Sequence, residues 1–63
     1  MSTNRFRRFQ SVKILTGKYA GLAGSVLECR DGTSMVKLEI QGMLNDVVVD
    51  EVVWLKFEQV DAL

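Results

Sequence analysis

The sequence predicts an all-β domain of five short strands, folded as a small barrel or a strongly bent sheet, and three observations carry that expectation. Apolar and polar residues alternate with the period of two that a strand with one buried face requires, most clearly at Val36, Leu38 and Ile40. Glycine-containing turns separate β-branched runs, and no stretch forms a clear amphipathic helix. Barrel closure would also remove the exposed edges that so valine-rich a chain otherwise presents.

The polar start MSTN is expected to be disordered. In FQSVKILT, Val12 and Ile14 face inward while Ser11 and Lys13 face out, which gives the first strand. LTGKYAGLAGSV, residues 15–26, then holds three of the chain's five glycines. Each glycine adds to the entropy lost on folding, so this density implies an imposed geometry, either a tight corner or a surface that lies against a partner. GSVLECR supplies the second strand, in which Val26 and Cys29 fall on opposite faces unless a bulge near Glu28 resets the count. Asp31-Gly32 signals a hairpin turn through residues able to take positive φ. SMVKLEI forms the third strand, with Met35, Lys37 and Glu39 outward. QGMLND is read as a turn pivoting on Gly42, and VVVDEVVWLKF as two short strands parted near Asp50 and Glu51. A terminal helix competes through the loose spacing of Val52, Leu55, Gln59 and Val60, but Val47, Val48, Val49, Val52 and Val53 weigh against it.

Sixty-three residues make one domain near the lower limit for a core without staples. The single cysteine, Cys29, cannot form an internal disulfide and reads as a small buried hydrophobe. With no histidine, the usual zinc sets cannot be assembled. No cofactor or metal is expected, and catalysis finds no footing. There is no Ser/His or Cys/His pair, and Asp46, Asp50 and Glu51 would lack a pocket to desolvate them. No apolar run approaches a membrane span, so a cytoplasmic protein without membrane contact is the expectation. Net charge is zero, yet residues 1–30 carry Arg5, Arg7, Arg8, Lys13, Lys18 and Arg30 against Glu28 alone, a net of +5, and residues 31–63 carry −5. Such asymmetry fits either a nucleic-acid arm or basic and acidic strands that pair within the fold.

The stretch VKILTGKYAGLAGSVLE, Val12 to Glu28, resembles a KOW motif: a strand, a turn opening with Gly17, a short loop, and Gly24 before the next strand. It is most similar to the C-terminal KOW domain of NusG-family transcription factors, which implies a five-stranded SH3-like barrel; the likeness covers roughly residues 11–60, and the domain is read as 9–63 behind a flexible basic arm, 1–8. VKLEIQGMLNDVVVD continues the likeness. Lys18 stands where that family carries proline, which removes a rigid element and adds a charge. The family's closing string V-E-L-D-F-D-Q-V fits in two registers, from Val47 or through VWLKFEQV from Val53, and the first is preferred. The resemblance implies a non-catalytic module that docks a protein partner in transcription elongation or termination, or in transcription–translation coupling. KOW modules of ribosomal proteins bind RNA instead.

For protein docking the candidates are Lys18, Tyr19, Leu22, Arg30 and Met43. Tyr19, set between glycines, is expected to be exposed as the anchor of the partner. The loops at 30–32 and 41–44 are expected to flank it. For RNA the candidates are Arg5, Phe6, Arg7, Arg8, Lys13 and Lys18, because arginine pairs with phosphate and phenylalanine stacks on unpaired bases. The bland alternative is a solvated arm with Phe9 folded onto the barrel. Trp54 reads as core. Met35, Met43 and Leu44 are expected to be exposed and, with Tyr19, to offer an apolar patch for a partner or a homodimer contact.

Overall fold

The computed structural model describes residues 6–63, so the expected disorder of MSTN and the candidate Arg5 lie outside the described residues. Five antiparallel strands form one sheet in the order β4-β3-β2-β1-β5. They are β1 (Ser11–Ile14), β2 (Ala23–Arg30), β3 (Met35–Leu44), β4 (Val47–Lys56) and β5 (Val60–Ala62), with one 3₁₀ turn at Phe57–Gln59. No α-helix occurs among the described residues. β4 and β5 are the two edges of the sheet.

One face of the sheet supplies the core. Val12, Ile14, Val26, Val36, Leu38 and Ile40 are fully buried, joined by Val49 and Val60. Complete burial of each such side chain stabilises the fold by about 1.5–3 kcal/mol. The period of two therefore places the inward residues of β1 and β3 as expected. The bulge near Glu28 is also present: the register shifts between Val26, opposite Leu38, and Glu28, opposite Lys37. Cys29 then sits opposite Val36 and is half-buried rather than buried.

Four expectations are corrected. Gly42 does not turn the chain: β3 runs on to Leu44, and the turn is Asn45-Asp46, both at positive φ (52° and 65°). That pair of left-handed residues is the two-residue hairpin geometry whose twist matches the strands. Asp50 and Glu51 do not divide two strands, because β4 pairs with β3 without interruption from Val47 to Lys56. VWLKFEQV thus occupies the end of β4, the 3₁₀ turn and the start of β5, and the segment from Val47 is the first part of β4. In the Asp31–Ser34 turn the positive φ falls on Ser34 (56°) and not on Gly32. Finally, Phe6 and not Phe9 folds onto the core: Phe6 is 3% exposed and meets Phe57 edge-on at 5.6 Å, while Phe9 is 68% exposed. The packed region therefore begins inside the segment expected to be an arm.

Candidate functional site

The loop from Leu15 to Leu22 joins β1 to β2 and is closed at its base by two backbone bonds, Ile14 N–H to Leu22 C=O (2.9 Å) and Gly21 N–H to Ile14 C=O (2.9 Å). Inside it, Ala20 N–H donates to Gly17 C=O and Leu22 N–H to Tyr19 C=O. Gly17 (φ 94°) and Gly21 (φ 92°) hold left-handed conformations that an L side chain would strain. A further bond, Leu15 N–H to Gln59 C=O at 2.7 Å, ties the loop to the 3₁₀ turn. So the glycines build a rigid double turn.

Tyr19 is the inward anchor of this loop, which corrects the expectation that it is exposed. Its ring is 8% exposed and belongs to the core, and its hydroxyl donates to Glu51 Oε1 on β4 at 2.6 Å. The Glu51 carboxylate accepting that bond raises the phenol above its ordinary 10.0; partial burial and the charge of Glu51 add to the rise, and Lys18 opposes it. Lys18 Nζ lies 5.3 Å from the Tyr19 ring centroid while the rest of its side chain is exposed. Leu22 is half-buried against the core, and a Cβ placed on Gly42 would lie 3.2 Å from Leu22 Cδ2. The missing side chain of Gly42 is therefore the seat of Leu22.

The candidate docking residues do not form one surface. Lys18, Tyr19 and Leu22 share the loop, but Arg30 pairs with Met35 at the far end of the β2–β3 ladder. Met35 and Gly42 are separated along β3 by about 23 Å of extended chain. Met43 shares the loop's end of the sheet, yet strand alternation puts it on the face opposite Ile40 and Gly42. The apolar patch drawn from Tyr19, Met35, Met43 and Leu44 is likewise not assembled: Tyr19 is buried, Leu44 packs against the core and Met35 is half-buried. Leu15, 47% exposed beside the loop base, is a surface apolar residue outside the candidate set, marked in the sequence only by breaking the alternation after Ile14.

The RNA candidates are also dispersed. Phe6 is buried and unavailable for stacking. Arg7 and Arg8 are exposed, with the Arg8 guanidinium 5.0 Å from the Phe9 ring centroid. Phe9 N–H donates to Val26 C=O, so this pair lies beside β2 before β1 begins, whereas Lys18 follows the other end of β1. Lys13 faces Asp61 across the β1–β5 ladder, and Lys37 faces Glu28 across β2–β3. Lys13 of the basic half thus meets Asp61 of the acidic half across β1–β5, while Glu28 and Lys37 pair in the opposite sense.

At the far end, Trp54 lies on the outer face, 37% exposed, and not in the core. Arg30 covers its ring at 5.0 Å and donates through Nε to Glu28 at 2.9 Å. Among the described residues no three acidic, cysteine or histidine side chains cluster to hold a metal, and no helix is long and apolar enough to cross a membrane. No protein-family model matches the chain, and no curated protein matches it at a significant level.

Proposed function

We propose that this chain is an SH3-like barrel of the KOW type acting in the cytoplasm as a non-catalytic binding module that docks a protein partner of the transcription or translation machinery. The strand order β4-β3-β2-β1-β5 with a 3₁₀ turn before β5 supports the barrel type. The observation that carries the docking role is the loop held on both sides, by Tyr19 to Glu51 and by Leu15 to Gln59. Such bracing presents Leu15 and Lys18 on a loop whose backbone has little ordering entropy left to lose on binding. Tyr19 is a positioning residue in this reading, and Leu15 and Lys18 are the contacts.

A pull-down of the tagged protein from its own cell lysate, with and without nuclease, tests the reading. Partners that survive nuclease and are lost from Leu15→Ser and Lys18→Glu support it, whereas retention unchanged by both variants overturns the site. The second reading, RNA binding, is favoured by one observation, the exposed Phe9 ring flanked by Arg8. It predicts retention that vanishes with nuclease and falls steeply with added salt.

A further inference from the structure

β4 is the longest one-sided strand of the sheet. It pairs with β3 over ten residues and has no strand on its other side, while the opposite edge, β5, is three residues long. Leu44 and Val47 flank the two-residue turn as a hydrogen-bonded pair, so the odd-numbered residues of β4 bond to β3. The N–H and C=O groups of Val48, Asp50, Val52 and Trp54 consequently point away from the sheet. Their side chains share its outer face, where Val48 is 73% and Val52 52% exposed. An extended apolar edge of this kind is a template for another strand.

We propose that the strand it takes is β4 of a second copy of this chain, paired antiparallel about a two-fold axis through Val53. A two-fold antiparallel pair keeps each outer face on the same side, and it permits only registers in which a residue meets its own counterpart on the axis. Charge selects among them. An axis at Asp50 or Glu51 opposes like carboxylates, and an axis at Val52 sets Asp50 against Trp54. The axis at Val53 sets Asp50 of each copy against Lys56 of the other, and Val52 against Trp54, twice over. Opposite charges and aromatic–β-branched pairs are both favourable cross-strand neighbours. Lys56 N–H already donates to Gln59 Oε1 at 3.0 Å, so each end of the ladder uses only the Asp50 N–H to Lys56 C=O bond.

Sedimentation equilibrium over a concentration series, with reductant to keep Cys29 reduced, is the test. The wild type is expected to pass from monomer to dimer mass. Asp50→Lys and Lys56→Asp are each expected to weaken the dimer about tenfold, and the double variant to restore it. In a Cys29→Ser background, Val53→Cys is expected to cross-link faster than Val52→Cys, since only the residue on the axis faces itself. A monomer mass at every concentration, a double variant no better than the singles, or faster cross-linking at position 52 would overturn the proposal.

Discussion

The β3–β4 hairpin keeps ten residue pairs in unbroken register, whereas β1 holds β2 through three pairs and β5 through three. The hairpin closes through a two-residue turn, so its ladder forms at small loop-closure cost and leaves most of β4 exposed. β1 instead joins parts of the chain far apart in sequence, Val12 lying opposite Ala62, and it buries Val12 and Ile14 completely against Val60. β3, like β1, is held by side-chain burial, at Val36, Leu38 and Ile40, whereas the outer face of β4 is held by backbone pairing alone. Changes in side-chain volume therefore have unequal consequences on β1 and on the outer face of β4.

The largest effect is expected in the β1 region. Ile14→Ala removes a fully buried side chain and is expected to cost about 3 kcal/mol, read as a lower denaturation midpoint. Val48→Ala on exposed β4, which removes one carbon fewer, is expected to stay within about 0.5 kcal/mol. Equal losses at the two sites would erase the contrast. Next in size is Gly24→Ala, because its Cβ would stand 3.0 Å from Glu39 C=O, a backbone atom fixed by the β2–β3 ladder. A loss of about 1–2 kcal/mol is expected, and none at all would mean that this ladder yields more readily than the register implies.

Tyr19→Phe gives a smaller loss that depends on pH. The folded phenol is raised above 10.0, so its neutral form is favoured by folding. That contribution is fully present below pH 10.0 and is lost as pH rises through the folded value. Tyr19 is the only tyrosine, so tyrosinate absorbance reads it directly, and the variant's stability is expected to lack this alkaline decline. The smallest effect is a gain: Asp46→Gly relieves a left-handed residue in the hairpin turn and is expected to add about 0.5 kcal/mol.

The period of two made the inward residues of β1 and β3 and the bulge before Cys29 legible, since each follows from local alternation. Features that depend on distant partners were not legible. Tyr19 reads as exposed because it stands among glycines, but the acceptor that draws it inward is 32 residues away on β4. Gly42 reads as a turn, although its use is to seat Leu22, while the actual turn carries Asn-Asp, a weaker signal than Asn-Gly. Asp50 and Glu51 read as a break because charges are rare inside strands. On an edge strand one carboxylate points to solvent and the other meets the tyrosine hydroxyl, so the ladder continues. Phe6 and Phe9 look alike in sequence, and the edge-on contact of Phe6 with the distant Phe57 is not visible from local pattern.

Site-directed photo-cross-linking in cells, with the reactive residue placed in turn at Lys18 and at Arg7, tests the docking role most directly. Protein adducts from Lys18 that persist after nuclease, and few from Arg7, are the expected result. RNA adducts from Arg7 with no protein adducts from Lys18 would contradict it.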